Sequence, residues 1–129
     1  MIKEDYVSFE VAKLLKEKGF NEPVMYHFTP DGTKRKFQQT FYRDDVAQPT
    51  LQVAMKWLRE KHKLFIDITA AMEDYIEDGV VKYKDPYYTW EVFSLEIGEP
   101  LYFGGTPSVK ESYEDACDFA IKYCLENLI

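Results

Sequence analysis

Residues 49–69 read PTLQVAMKWLREKHKLFIDIT, and they contain the clearest structural signal in the chain. In the first part apolar residues recur at three- to four-residue intervals, which predicts a helix from Leu51 to about His62. From Leu64 onward every second residue is aliphatic, as is typical of a strand with one buried face. The stretch therefore predicts a helix that passes almost directly into a strand.

The predicted helix has a buried stripe and a basic face. The buried stripe consists of Leu51, Ala54, Met55 and Leu58, with Trp57 beside it. The basic face lies towards the C-terminal end, where cations also suit the helix dipole, and consists of Lys56, Arg59, Lys61 and Lys63.

A first helix is predicted from about Phe9 to Lys18. Ser8 can cap its N terminus, because the hydroxyl accepts a hydrogen bond from an otherwise unpaired main-chain N–H. Gly19 can end it, because glycine adopts the left-handed conformation without a Cβ clash. A hairpin with a Pro-Asp-Gly turn is expected to follow.

The first strand of this hairpin covers Pro23–Phe28, where Val24, Tyr26 and Phe28 alternate and predict one buried face. The second strand covers Lys36–Tyr42, where Phe37 and Phe41 alternate with polar residues. The segment Asp44–Gln48 is predicted as a loop that leads into the second helix.

In the second half, strands are predicted from Thr89 to Ile97 and from Leu101 to Phe103. Apolar positions change parity after Val92, which a β-bulge or burial on both faces would explain. Residues 73–86 are acidic and are predicted to be irregular and exposed. Together, residues 1–129 predict a single α+β domain, with a mostly antiparallel sheet of about five strands and three helices packed against it.

The last predicted helix is capped by Ser112, and Asp115 three residues later resembles a capping box. Cys117 and Cys124 lie two turns apart on this helix, about 10 Å along its axis, which is too far for a disulfide. They are therefore predicted to be buried and unpaired. The full buried face is Ala116, Cys117, Ala120, Ile121, Cys124 and Leu128.

Charge is distributed unequally along the chain. Residues 1–63 carry 12 Lys+Arg against 9 Asp+Glu, whereas residues 64–129 carry 4 against 14. No apolar run approaches the ~18–20 residues of a membrane span, and the start of the chain lacks the apolar stretch of a signal peptide. We therefore expect a cytoplasmic protein that uses no membrane and has a polarised surface.

Three segments together resemble a family of short uncharacterised proteins from gut anaerobic bacteria and their prophages. These segments are FEVAKLLKEKGF (9–20), PTLQVAMKWLREKH (49–62) and SYEDA (112–116). The resemblance implies a phage or mobile-element origin, and it brings no catalytic residue with it. Family members often have glycine where this chain has Lys63, so the resemblance implies a different or mildly strained exit from the second helix.

A cluster of aromatic residues surrounds Asp85-Pro86 and consists of Tyr83, Tyr87, Tyr88 and Trp90. Tyrosine and tryptophan are enriched at protein contacts, which makes this cluster the candidate partner-binding site. The alternative reading is a loop that folds its rings onto the sheet.

A second candidate is a basic face formed by Lys34, Arg35 and Lys36 together with Lys56 and Arg59 of the predicted helix. Such a face could bind the phosphates of a nucleic acid. The isoelectric point of about 4.8 argues against this reading.

The sequence contains no motif typical of catalysis, of a cofactor site or of a metal site. His27 and His62 lack zinc-ligand spacing, and the carboxylates of Asp67, Glu73 and Asp74 are best read as a solvated acidic patch. We therefore expect a non-enzymatic accessory protein without cofactor that contacts an unknown protein partner. A small nucleic-acid-associated module that uses the basic face of residues 34–63 is the alternative.

Overall fold

The computed structural model describes residues 1–36, 43–105 and 112–129. Its helices are α1 (Phe9–Glu17), α2 (Leu51–His62) and α3 (Tyr113–Asn127). The strands are β1 (Tyr26–Phe28), β2 (Lys34–Lys36), β3 (Val46–Gln48), β4 (Leu64–Ala71), β5 (Asp74–Glu77), β6 (Val80–Tyr83), β7 (Tyr87–Ser94) and β8 (Glu99–Gly105).

The strands form two three-stranded sheets, ordered β2-β1-β3 and β4-β7-β8, and a two-stranded hairpin, β5-β6. Every strand pair is antiparallel. This arrangement confirms the predicted α+β class with antiparallel pairing. The described strands outnumber the predicted five, because β3 and the β5-β6 hairpin lie in segments predicted as loops.

The helices begin at the predicted residues, and at α1 and α3 the predicted capping residues set the start. The Oγ atom of Ser8 accepts the N–H of Val11 at 3.2 Å, and the Oγ1 atom of Thr50 accepts the N–H of Val53 at 3.1 Å. At α3 the capping box is complete, because Ser112 and Asp115 each accept the other's main-chain N–H at 3.0 Å. Local hydrogen bonding therefore sets the helix starts.

One hydrophobic core joins the helices to both three-stranded sheets. α3 packs against β4 and β7 as well as against the other two helices, and α2 packs against β4. On β4 the side chains of Leu64 and Ile66 are buried, whereas Phe65 and Asp67 on the opposite face are exposed. The helices therefore cover one face of the β4-β7-β8 sheet and leave the other open.

Most predicted helix faces are confirmed. Leu58 at the centre of α2 is completely buried, as are Cys117 and Cys124, which are unpaired thiols. Trp57 is more deeply placed than predicted, because its ring packs edge-on against Phe20 at 5.5 Å. On α3, the buried position near the end is Leu125, whereas Leu128 is half-buried.

The prediction of a loop over Asp44–Gln48 is wrong for its last three residues. Val46–Gln48 is β3, which pairs with β1 in the register Phe28 to Val46 and Tyr26 to Gln48. On β1, His27 is buried and Tyr26 is only half-buried, so alternation alone did not predict the buried residues. The predicted strand Lys36–Tyr42, with Phe37 and Phe41, lies outside the described residues beyond Lys36.

The strand predicted to reach Ile97 is shorter than expected. β7 ends at Ser94, whose carbonyl accepts the N–H of Gly98 at 2.8 Å in a turn that leaves Leu95 and Ile97 exposed. The β7–β8 register shifts between Val92 and Phe93, but β7 pairs with β4 without a break at this point, so the bulge lies on β8 and not on the strand for which it was predicted. The additional residue is Leu101 of β8, because Tyr102 lies opposite Val92 and Pro100 lies opposite Phe93.

Candidate protein-interaction arm

Residues 72–85, here called the arm, form a hairpin in which every residue is exposed. β5 and β6 pair in the register Asp74 to Tyr83 and Glu77 to Val80. Asp78 and Gly79 connect them, and both have positive φ angles, of 52° and 74°. Positive φ at both central residues is the requirement of a type I′ turn, whose twist matches a two-residue hairpin.

The arm continues the β4–β7 ribbon beyond a bulge. The last β4–β7 pair joins Ala71 to Tyr87, and the first pair of the arm joins Asp74 to Tyr83. Two residues separate these pairs on one strand and three separate them on the other, where Pro86 also lacks an N–H donor. The Glu73 carbonyl nevertheless accepts the Lys84 N–H at 2.9 Å, which restores pairing at the base of the arm.

One face of the arm is apolar and open to solvent. Ile76 and Val81 are cross-strand partners, and Tyr83 lies two residues further along the same face. Their exposed fractions are 75%, 54% and 65%. Isolated two-stranded hairpins are marginally stable in water, and these side chains have no core to pack against. The arm therefore presents the kind of surface that a partner can bury.

The arm also carries net negative charge. Lys82 pairs with Glu77 at 3.5 Å and Lys84 pairs with Glu73 at 3.3 Å. The three remaining carboxylates form no ion pair among the described residues, and they belong to Asp74, Asp78 and Asp85. The apolar face is thus framed by uncompensated negative charge.

The structure does not bring the four predicted aromatic residues together on one surface. Tyr83 is exposed at the base of the arm, and Tyr87 and Tyr88 are half-buried where β7 begins. Tyr88 packs edge-on against Tyr113 of α3, with ring centroids 6.0 Å apart. Trp90 is buried and cannot present its ring to a partner.

Trp90 instead belongs to an aromatic cluster under β8. Its ring lies 5.3 Å from that of Tyr102 and 5.6 Å from that of Tyr123, and these two tyrosines stack at 3.9 Å. A Cβ atom at Gly104 would come within 2.6 Å of the indole ring, so only glycine fits over it. The tryptophan therefore serves packing.

The residues predicted to form a basic face lie on two separate elements. Lys34, Arg35 and Lys36 form β2, which is exposed and pairs with β1. The ammonium of Lys34 lies 4.4 Å from the Tyr6 ring centroid and 4.5 Å from that of Tyr26.

Lys56 and Arg59 lie on α2. This helix packs against α3 and against β4, which belongs to the β4-β7-β8 sheet and not to the sheet of β2. Lys56 faces Glu60 at 3.9 Å, which offsets part of its charge.

Both histidines have packing roles. The Nε2 atom of His27 lies 3.2 Å from the Oδ2 atom of Asp45, and both side chains are buried. The His62 ring packs edge-on against Trp57 at 4.8 Å, and partial burial lowers its pKa. Across the three described ranges, no three His, Cys, Asp or Glu side chains form a group that could hold a metal ion.

A cavity of about 280 Å³ lies beside α1 and is lined by Ala12, Phe20, Val24 and Ala47, with Lys16 and Asp45 also in its wall. The Lys16 ammonium donates to the carbonyls of Arg43 and Asp45, at 2.9 and 3.0 Å. These bonds attach the segment before β3 to α1, which is a structural use of the lysine.

Comparison with known proteins adds no relative. No protein-family model, no curated protein and no solved structure matches the chain. No helix in residues 1–36, 43–105 or 112–129 is long and apolar enough to cross a membrane.

Sequence reasoning identified Tyr83 in the arm and missed its aliphatic partners. Ile76 and Val81 lie on either side of the Asp78-Gly79 dipeptide. Apolar and charged residues are interleaved before and after this dipeptide, as in two short strands. Asp-Gly between alternating strands is a strong local signal for a two-residue hairpin, and it could have located the arm.

Proposed function

We propose that this chain is a non-enzymatic, protein-binding accessory protein of the cytoplasm and that the arm is its main contact with the partner. The observation that carries this proposal is the exposed apolar face of Ile76, Val81 and Tyr83 on a hairpin that contributes nothing to the core. When a partner buries these side chains, apolar surface is removed from water and the hairpin is ordered in the same step.

The partner surface is a basic one around an apolar recess. Asp74, Asp78 and Asp85 surround the apolar face and form no ion pair with a described residue, so an approaching basic surface is attracted. Such attraction weakens as salt screens it. A phage or mobile-element setting for this interaction rests on the family resemblance of the three segments alone.

A nucleic-acid-associated role for the basic face remains the alternative proposal. Lys34, Arg35 and Lys36 are exposed on β2, which keeps three cations in contact with solvent. Substitution of these residues should abolish capture of nucleic acid if this alternative holds, and should leave protein capture unchanged if the arm is the binding element.

The arm can be tested by exchanging two side chains without changing their β-propensity. The Ile76→Thr/Val81→Thr variant removes the aliphatic surface and keeps β-branched residues that favour the hairpin. We expect it to lose a protein that the unaltered chain retains in affinity capture from cells of its source, with at least a tenfold weaker Kd for the purified partner, roughly as two lost apolar contacts imply.

A matched control is Val80→Thr, which changes a residue on the opposite face of the same hairpin. It should retain the partner at unchanged affinity. A second variant replaces Asp74–Tyr83 by Asn-Gly, which closes a two-residue turn on the Glu73–Lys84 hydrogen-bonded pair. Undiminished capture by this shortened chain would exclude the arm.

A further inference from the structure

β8 lies at the edge of its sheet, and no strand in residues 1–36, 43–105 or 112–129 pairs with its outer side. In the β4-β7-β8 sheet it pairs with β7 alone among the described strands. The stretch Leu101–Gly105 contains no charged residue and no proline, although natural edge strands are usually blunted by such residues. Pro100 and the bulge at Leu101 interrupt only its beginning. The rest of β8 is therefore a template for strand pairing.

The hydrogen-bond phase of the sheet shows which residues face that open edge. The N–H of Leu95 donates to the carbonyl of Lys63 at 2.8 Å, in register with the β4–β7 ladder. Because bonding alternates along a central antiparallel strand, odd-numbered residues of β7 bond to β4 and even-numbered residues bond to β8. The β8 residues opposite the even-numbered ones are Tyr102 and Gly104. The N–H and C=O groups of Phe103 and Gly105 therefore point away from β7.

Among the described residues, nothing requires glycine at position 105. A Cβ atom there would meet no described atom within 4 Å, and the φ angle lies outside the left-handed region. Gly104, in contrast, is required by the Trp90 ring beneath it. A strand glycine without a packing role is typical of a place where another backbone approaches closely.

The two faces beside this edge differ in chemistry. Phe103 lies opposite Glu91, which lies opposite Asp67, so an aromatic ring and two carboxylates form one row across the exposed face. Neither carboxylate forms an ion pair with a described residue. The other face of β8 carries the ring of Tyr102, which is stacked on Tyr123.

We propose that β8 accepts an added strand from a partner protein in which arginine alternates with apolar residues. An arginine beside Phe103 would lie about 4.8 Å from β8 and roughly twice that from β7, so its guanidinium can cover the ring and reach Glu91. In the added strand, the residues that alternate with arginine lie on the same face as Tyr102 and are apolar. A second copy of this chain is disfavoured, because its β8 brings a glutamate and no cation.

This inference extends the proposed function to a second contact surface, and it does not depend on the arm. The probes are two blocked heptapeptides, one alternating Val with Arg and one alternating Val with Glu. Each is titrated into the isotopically labelled full chain while the amide signals are followed by NMR. With the arginine peptide, the amides of Phe103 and Gly105 should shift and exchange more slowly with solvent, and the effect should weaken with salt.

A matched pair of variants tests the backbone contact. Gly105→Pro removes the outward N–H and leaves the bonds of β8 to β7 in place, so the Kd for the arginine peptide should rise about five- to tenfold, as one lost hydrogen bond implies. Gly105→Ala keeps the N–H and adds only a methyl group, so it should raise the Kd less than Gly105→Pro does. The amide signals of Val92 and Trp90 report whether each variant keeps the sheet.

Three outcomes would overturn the proposal. They are unchanged Phe103 and Gly105 amides with the arginine peptide, equal binding of both peptides, and shifts that depend on protein concentration without any peptide, which would indicate self-pairing. The Ile76→Thr/Val81→Thr variant should bind the arginine peptide normally, so failure of the arm proposal and failure of the edge proposal give different results.

Discussion

Lys63 occupies a backbone conformation that usually belongs to glycine. Its φ angle is 56° and its ψ angle is 36°, in the left-handed region, directly after α2. A side chain in that region costs about 1 kcal/mol. The expected exit from α2 was a different or mildly strained one, and the left-handed Lys63 is the strained kind. The Lys63 carbonyl accepts the N–H of Leu95, which holds the residue where β4 begins.

Asp118 gives the folded state a pH dependence of unusual sign. Burial raises the pKa of its carboxyl, the neighbouring carboxylates of Asp115 and Glu10 raise it further, and the N–H of Ser8, which donates to it at 3.0 Å, only partly opposes this. Because the folded pKa lies above the unfolded value, the stability contribution of this group is present at pH 3 and is lost as the pH rises through the folded pKa.

Asp118→Asn should therefore stabilise the protein at pH 7 and have little effect at pH 3. The amide oxygen of asparagine can still accept the N–H of Ser8, and it has no charge to desolvate. Urea unfolding of both proteins at the two pH values measures the difference. A stability difference that is the same at pH 3 and at pH 7 would show that ionisation of Asp118 is irrelevant.

At the scale of elements, the two faces of α2 should respond very differently to truncation. Leu58 is completely buried, so Leu58→Ala should destabilise by about 2–5 kcal/mol. Lys56 is exposed, and Lys56→Ala should change stability by less than about 0.5 kcal/mol. Chemical denaturation of the two variants checks this, and similar losses would mean that the assigned faces are wrong.

The helices could be predicted from the sequence because caps and periodicity are local. Ser8, Thr50 and Ser112 lie next to the N–H groups that they accept, and no distant contact is needed. β3 could not be predicted, because three residues show no period and their strand character comes from pairing with β1.

The candidate site was only partly predictable for a related reason. In the sequence, Tyr83 and Trp90 are both aromatic residues close to Asp85-Pro86, and nothing local distinguishes them. The sheet register places Trp90 under Gly104, where it is buried. The acidic residues around Ile76 and Val81 favour a loop, so composition alone does not mark these two residues as part of a binding surface. The Asp78-Gly79 dipeptide is the local signal that favours a hairpin over an irregular loop in this segment.

At the scale of the whole molecule, one hydrophobic core predicts one cooperative transition. All three helices and both three-stranded sheets contribute to that core, whereas the arm contributes no residue. The chain in which Asn-Gly replaces Asp74–Tyr83 should therefore unfold in a single calorimetric transition, within about 1 kcal/mol of the unaltered chain. Two separate transitions, in either protein, would contradict a shared core.

The two thiols of α3 also connect folding to redox chemistry. Burial raises the pKa of Cys117 to about 11 and that of Cys124 to about 12, and neither side chain is exposed in the folded chain. Peroxides and disulfides react with thiolates, which form readily only after the chain unfolds. The rate at which these cysteines oxidise therefore reports the unfolded population, and the folded chain can be kept without a reducing agent.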